Sequence, residues 1–133
     1  MLKTPEKIHG RRNFESILLV EDEASTRRMT AVVLKRLGYR VQEASSAEEA
    51  SRLAEVPGEK IDLLMTDIVM QGLSGCELAD LLQSRDPGLK VLFMSGQSFT
   101  HHRIVHPGRA FLQKPFTLDA VSRMLVEVLD RRI

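Results

Sequence analysis

The stretch Ile61-Asp62-Leu63-Leu64-Met65-Thr66-Asp67 decides the fold, because it is a short apolar run that ends on a carboxylate. Its length, and its apolar residues on both sides of the pleat, predict a strand buried on both faces. Such strands belong to parallel sheets that are covered by helices. In open α/β sheets, ligands bind outside the carboxyl ends of the strands, where Asp67 would lie. Asp67 is therefore the first candidate for a functional residue.

Four more strand-like runs alternate with helical patterns along the chain. The runs cover residues 16–20, 39–44, 90–95 and 110–114. The first helix carries an apolar stripe of Met29, Val32, Val33 and Leu37 and ends at Gly38, a typical C-cap. Further helices are predicted through residue 56, over about 76–85 and behind residue 117. This alternation predicts an α/β fold, a doubly wound five-stranded parallel sheet with helices on both faces.

Composition narrows the class of protein. With 133 residues, the chain fits one domain, in which residues 1–15 form a flexible leader or linker and residues 16–133 form the folded domain. The formal net charge of +1 offers no electrostatic argument for binding nucleic acid or a membrane. The single cysteine excludes an internal disulfide, and no apolar run reaches membrane-spanning length. We therefore expect a cytoplasmic protein.

Polar side chains stand where the predicted strands end. Glu21 and Asp22 follow the first strand, Asp67 ends the third, Ser95 ends the fourth and Lys114 ends the fifth. The strands of a parallel sheet all end at the same edge. These five side chains therefore converge on one crevice if strands one, three, four and five are neighbours.

The converging residues suit phosphoryl transfer. Clustered carboxylates repel one another unless a cation neutralises them, and an oxygen-rich site of this kind suits Mg²⁺. The hydroxyl of Ser95 can donate to a phosphoryl oxygen, and Lys114 adds a compact positive charge. Asp67 would then be the nucleophile. Each residue also has a structural alternative: Asp22 would only cap the next helix, and Lys114 would be a solvated surface lysine.

Four segments resemble the signature segments of two-component receiver domains. They are Leu18-Leu19-Val20-Glu21-Asp22-Glu23, Met65-Thr66-Asp67-Ile68-Val69-Met70, Phe93-Met94-Ser95-Gly96 and Gln113-Lys114-Pro115-Phe116. The resemblance covers about residues 16–130 and implies a flavodoxin-like fold with strand order 2-1-3-4-5. The residues of the last two segments are similar to those found in the receivers of hybrid sensor histidine kinases.

The resemblance assigns roles to the acids. It implies that Asp67 accepts a phosphoryl group from the phosphohistidine of a partner, either a sensor histidine kinase or a histidine phosphotransfer protein. It also implies that Asp22, Asp67 and the backbone carbonyl of Val69 ligate Mg²⁺, or Mn²⁺ in its place. Glu21 would act on the metal through water.

The resemblance also assigns the remaining groups. Ser95 and Lys114 would bind the phosphoryl oxygens, and the Lys114–Pro115 peptide bond would be cis. Movement of Ser95 towards the phosphoryl group would open space for Phe111, so these two residues would form the switch. The alternative for Phe111 is an ordinary core residue of a buried strand.

Two features depart from the family pattern. The apolar Val69 offers no hydrogen bond to an attacking water, which predicts slow loss of the phosphoryl group. Ser95 and Lys114 lie only 19 positions apart, by the difference of their numbers, and Pro107-Gly108 breaks the segment between them. We therefore predict a fourth helix that is short, irregular or missing.

Other functions remain open from the sequence. A phosphohydrolase that forms an aspartyl-phosphate would share the acid, hydroxyl and lysine, but it needs a second acid where this chain has Val69. An idle pseudo-receiver that only binds partners is another alternative. The chain would be either a stand-alone response regulator or the receiver of a hybrid kinase. Charged residues of the last helix, namely Arg123, Glu127, Asp130 and Arg131, would support a weak homodimer.

Overall fold

The computed structural model describes residues 15–96 and 108–131. Five parallel strands form one sheet in the order β2-β1-β3-β4-β5, which confirms the predicted fold class and strand order. The strands are β1 (Ser16–Val20), β2 (Arg40–Ala44), β3 (Leu63–Asp67), β4 (Lys90–Ser95) and β5 (Arg109–Gln113). The helices are α1 (Ala24–Arg36), α2 (Ala47–Ala54), α3 (Gly75–Arg85) and α4 (Leu118–Asp130).

Two predictions fall outside the described part of the chain. The flexible leader concerns residues of which only residue 15 is described. The short or irregular helix between β4 and β5 would lie within residues 97–107, none of which is described. Both stay predictions, as does the boundary of the domain.

Local sequence explains where the helices begin and end. Gly38 follows α1 with φ of 101°, a conformation that glycine adopts without steric cost. Its N–H bonds to the carbonyl of Lys35 and that of Tyr39 to the carbonyl of Leu34, which is the Schellman pattern. Ser74 and Glu77 form a reciprocal capping box at the start of α3. These caps fix the loops that carry the sheet-edge residues.

The core lies on both faces of the sheet. All five residues of β3 are buried, as its apolar sequence predicts for a central strand. One face packs against α2 and α3 around Leu64, Leu78 and Phe93, and the other packs against α1 and α4 around Leu19 and Leu125. The carboxyl edge between these two layers is therefore held from both sides.

Helix α1 buries the predicted apolar stripe only in part, because Val33 and Leu37 are partly buried and pack against the core. The sequence stripe placed Met29 and Val32 inward, but they are 71% and 50% exposed. The buried residues of α1 are Thr30, Ala31 and Leu34. The helix is therefore rotated so that Ala31 and Leu34 face the core, whereas Met29 and Val32 lie outside the buried face.

The charged face of α4 pairs within the chain. Arg123 contacts Asp119 at 2.7 Å and Arg131 contacts Glu127 at 2.8 Å, both one helical turn apart. Arg123, Glu127 and Arg131, which we considered for salt bridges in a dimer, are therefore paired inside the chain. The homodimer stays a prediction. No helix in the described ranges combines the length and apolar character that a membrane crossing needs.

Candidate functional site at the carboxyl edge of the sheet

Asp67 ends β3 and is held by its neighbours on both sides. The residue is 7% exposed. The next N–H, of Ile68, donates to the carbonyl of Met94 on β4 at 3.2 Å, which continues the pairing of the two strands past Asp67. The carbonyl of Ile68 accepts from the N–H of Gly75 at 2.8 Å, so the start of α3 is joined to the end of β3. Asp67 therefore has a fixed backbone at the predicted place.

Glu21 and Asp22 follow β1 and differ in exposure. The Glu21 side chain is buried, whereas Asp22 is exposed. The side chain of Glu23, and not that of Asp22, caps α1 by accepting from the N–H of Thr26 at 2.7 Å. The capping alternative for Asp22 is thus wrong, because a neighbouring acid already fills that position. Asp22 is left exposed beside the other two acids.

Lys114 joins the acids of two strands. Its backbone N–H donates to the carbonyl of Ser95 at 2.7 Å, which brings the ends of β4 and β5 together. Its Nζ lies 2.7 Å from Oε1 of Glu21 and 2.7 Å from Oδ1 of Asp67. The Lys114–Pro115 peptide bond is cis, as predicted. Lys114 is therefore part of the site and not a solvated surface lysine.

The three charged groups perturb one another. Burial and the hydrogen bond with Glu21 raise the pKa of Asp67 to about 7, although Lys114 opposes the shift. Burial also works to raise the pKa of Glu21, but hydrogen bonds with Asp67 and Lys114 outweigh it and the pKa is lowered. Burial lowers the pKa of Lys114, but its bonds to Asp67 and Glu21 outweigh this and raise the pKa. With a pKa of about 7, Asp67 is protonated in about half of the molecules at neutral pH.

The donor set fits a hard divalent cation. Glu21, Asp22 and Asp67 can each present one carboxylate oxygen such that the three atoms lie within 4.8 Å of one another. All three donors are oxygens, as Mg²⁺ and Mn²⁺ prefer. A bound cation would also favour the charged form of Asp67 and so oppose burial, the main cause of its raised pKa. The chemistry of the site therefore agrees with the predicted metal.

The predicted switch residues lie on one face of the sheet. Ser95 is buried at the end of β4, two residues after Phe93, so both side chains point to the same side. Phe93 pairs with Phe111 of β5, and the two rings stack with centroids 5.2 Å apart. The guanidinium of Arg109 lies 5.8 Å from the centroid of Phe93. Phe111 thus belongs to an aromatic stack on the same face of the sheet as Ser95.

Sequence reasoning missed two residues that hold the site. Gly75 has a buried position against the backbone of Asp67, and Arg27 of α1 donates from Nη1 to the carbonyl of Glu21 at 2.9 Å. The loop glycine was visible as a turn signal only. Nothing in the sequence pattern linked Arg27 to the acids, because its contact depends on how α1 lies against the sheet.

Comparison with known proteins identifies the class that this fold and edge define. The five-stranded parallel sheet with three acids and a lysine at its carboxyl edge is an α/β scaffold with a polar, cation-compatible crevice. The family model described as response regulator receiver domain matches residues 17–126, so the chain belongs to the response regulator receiver domain family. It is a receiver domain of two-component systems.

Two curated relatives illustrate the range of the family. The sensor kinase CckA of Brucella abortus (strain 2308) is 32% identical over 133 residues, which cover 98% of this chain and 14% of that protein. The response regulator receiver protein CpdR of the same organism is 41% identical over 81 residues, 60% of this chain and 65% of that protein. The chain thus spans only a small part of CckA.

Solved structures show the same fold. The receiver domain of the hybrid histidine kinase CckA has a TM-score of 0.74 and 33% identity, covering 86% of this chain and 99% of that one. The response regulator TrrA of Thermotoga maritima, solved in complex with Mg²⁺-BeF, has a TM-score of 0.72 and 26% identity, covering 86% and 98%.

Proposed function

We propose that Asp67 accepts a phosphoryl group from a phosphohistidine in a reaction that depends on a divalent cation. The observation that carries the proposal is the position of its carboxylate. It is nearly buried, contacts Lys114 at 2.7 Å, and lies with Glu21 and Asp22 in one cluster of oxygens. Membership of the receiver family supports the assignment of Asp67 as the acceptor.

The chain's own groups prepare Asp67 as the nucleophile. An oxygen of the deprotonated carboxylate attacks phosphorus, and the P–N bond to the donor imidazole breaks as the new O–P bond forms. Lys114 exchanges its contact with the carboxylate for one with a phosphoryl oxygen, while Glu21 keeps its ammonium in place. The hydroxyl of Ser95 binds a second phosphoryl oxygen. Holding these groups in place before the reaction removes most of the reorganisation that transfer would otherwise require.

Asp22, Asp67 and the carbonyl of Val69 would hold Mg²⁺, or Mn²⁺, with Glu21 acting through water. The cation would neutralise negative charge on the transferring phosphoryl group. The complex of TrrA with Mg²⁺-BeF supports this ligand chemistry for the fold. The exposed position of Asp22 leaves a side from which a hydrated ion can enter.

The donor would be a sensor histidine kinase or a histidine phosphotransfer protein. Met29 and Val32 form an exposed apolar pair on α1, the helix that starts directly after the acids. The two side chains lie one turn apart on this helix, and we assign the pair to the contact with the donor protein. We place the reaction in the cytoplasm, because its reducing conditions keep a free cysteine such as Cys76 in the thiol form. Similarity to both CckA and CpdR supports either a hybrid kinase receiver or a stand-alone regulator.

Phosphorylation would be read out through Ser95 and Phe111. When Ser95 turns towards the phosphoryl group, the space that it leaves lies on the face of the Phe93–Phe111 stack. Because Phe111 has no hydroxyl, its response would be a change of packing against Phe93 and not a new hydrogen bond. Ring resonances of Phe111 that stay unchanged on addition of Mg²⁺ and beryllofluoride would refute this switch.

Mass measurement tests the proposed acceptor. The full chain is incubated with Mg²⁺ and a small phosphoramidate donor, beside Asp67→Asn and the matched control Asp62→Asn at the opposite end of the sheet. We expect the wild type and the control to gain one phosphoryl group that Asp67→Asn does not gain. Label on Asp67→Asn, or none on any variant, would overturn the proposal. Continuous release of phosphate from esters would instead indicate the phosphohydrolase, for which the apolar Val69 lacks the needed acid.

A further inference from the structure

Arg27 makes two contacts that join α1 to the ends of β1 and β2. Its Nη1 donates to the carbonyl of Glu21 at 2.9 Å, and its Nε contacts Oε1 of Glu43 on β2 at 3.3 Å. The Arg27 side chain is 15% exposed and that of Glu43 is 32% exposed. A guanidinium held in this way has a fixed orientation, because its donors form a planar fork.

The backbone N–H and the backbone carbonyl of Glu21 are both held in place. The N–H is bound by β2, and the carbonyl by Arg27, whose side chain contacts Glu43 of β2. The N–H of Glu21 donates to the carbonyl of Ala44 at 3.1 Å, directly beside Glu43. The carbonyl of Glu21 is held by Arg27 and belongs to the planar peptide unit that leads into Asp22. Rotation of that unit would swing Asp22 away from Asp67. In its present orientation the three carboxylates share one cluster.

We infer that Arg27, locked by Glu43, is a positioning residue that orients the Glu21–Asp22 peptide so that the acids bind a divalent cation together. The inference rests on the proposed metal-dependent function of this site. Arg27 would not contact the metal itself. It donates to the backbone carbonyl of Glu21 and would affect metal binding only by holding that backbone in place. Groups that orient metal ligands in this way change metal affinity by about tenfold or more when they are replaced.

The positive charge of Arg27 would weaken metal binding, whereas its positioning role would strengthen it. Because the two effects have opposite signs, replacing Arg27 tests the inference. A guanidinium near the acids repels an incoming cation, so removing it would tighten metal binding if charge alone mattered. If positioning dominates, removal weakens metal binding. Arg28 is the matched control, because it is exposed and adjacent and loses the same charge when replaced by glutamine.

The dissociation constant for magnesium chloride is measured by calorimetry on the full chain for wild type, Arg27→Gln, Arg27→Lys, Glu43→Gln and Arg28→Gln. We expect about tenfold weaker binding for Arg27→Gln and a smaller loss for Glu43→Gln. Arg27→Lys should also weaken binding, because an ammonium cannot hold both partners in the planar fork. Arg28→Gln should bind as tightly as the wild type or slightly tighter.

Unfolding in urea separates positioning from a general loss of stability. A merely structural Arg27 would lower the unfolding free energy equally with EDTA and with saturating Mg²⁺, whereas a positioning role makes the loss larger with Mg²⁺. Equal affinity of Arg27→Gln and Arg28→Gln for Mg²⁺ would overturn this inference but leave the proposed function of the site intact. Failure of the wild type to bind Mg²⁺ would overturn it together with the proposed function. If Arg27→Gln does not fold, Arg27→Lys and Glu43→Gln decide the question by the same comparison.

Discussion

Replacing Gly75 with alanine tests how tightly the start of α3 is packed against the acceptor residue. A Cβ atom at this position would lie 2.0 Å from the carbonyl oxygen of Asp67, whereas ordinary contacts begin at 3.4 Å. It would also lie 2.9 Å from the carbonyl carbon of Asp67 and 3.0 Å from Cα of Ile68. All three neighbours are backbone atoms of the strand end, so no side chain can turn away to make room.

The energetic cost follows from these contacts. Overpacking a filled site costs about 1–3 kcal/mol and occasionally more, and here the obstacle is backbone. Moving the helix away also breaks the 2.8 Å hydrogen bond from Gly75 to Ile68, which contributes about 1 kcal/mol. Alanine returns up to about 1 kcal/mol through its higher helix propensity. We expect a net loss of about 1–3 kcal/mol in the free energy of unfolding, towards the upper end because the obstacle is backbone.

Urea unfolding followed by circular dichroism measures this loss, with Gly88→Ala as the control. The nearest neighbour of a Cβ atom at Gly88 is an oxygen of Asp86 at 3.6 Å, an ordinary contact, so this variant should stay within about 0.5 kcal/mol of the wild type. Gly75→Ala should also lose phosphorylation of Asp67 through displacement of its backbone. Unfolding free energies of the two variants that agree within error would refute the packing argument.

Three further predictions concern the acids and the exposed apolar residues. The native pKa of Asp67, about 7, lies above its ordinary value of 3.8, so the folded state binds more protons and stability is lost as pH rises between these values. Asp67→Asn should therefore exceed the wild type in unfolding free energy by up to about 4 kcal/mol near pH 8 in EDTA, and the gain should vanish near pH 4; an equal gain at both pH values would contradict this. Val69 is 74% exposed, so Val69→Asn would place an amide where water reaches the site; the half-life of the phosphorylated protein should fall severalfold, and an unchanged half-life would count against an effect of this side chain. Met29→Lys should slow transfer from a phosphorylated histidine kinase that loads the wild type, relative to transfer from phosphoramidate; an unchanged ratio would exclude α1 as the donor surface.

Much of the site was predictable because each of its residues lies at the end of a strand or within two residues after it. The register of a parallel sheet places the ends of neighbouring strands together, so Asp67, Ser95 and Lys114 could be assigned to one edge from their positions alone. The contact of Lys114 with both Glu21 and Asp67 needed the structure. It depends on side-chain reach across two strands, which sequence spacing does not report.

The first helix shows where the sequence pattern was only partly right, since Val33 and Leu37 of its stripe do pack against the core. Its apolar stripe predicted that Met29 would be buried, but Ala31 and Leu34 face the core and Met29 faces solvent. Periodicity reports which residues share a face of a helix, and it does not report which of two mixed faces packs best. Which face is buried depends on how its side chains fit the packed sheet, and in α1 that face holds Ala31 and Leu34.

The order of strands and helices, the caps and the set of polar residues at the strand ends were all determined by the sequence, since local conformation and burial pattern depend on neighbouring residues. The tertiary structure alone decided how those residues act on one another. Burial beside Glu21 raises the pKa of Asp67, and Arg27 reaches the backbone of the acids only because α1 crosses the sheet at a particular rotation. Such effects depend on distances between residues far apart in the chain, and packing of the whole domain sets those distances.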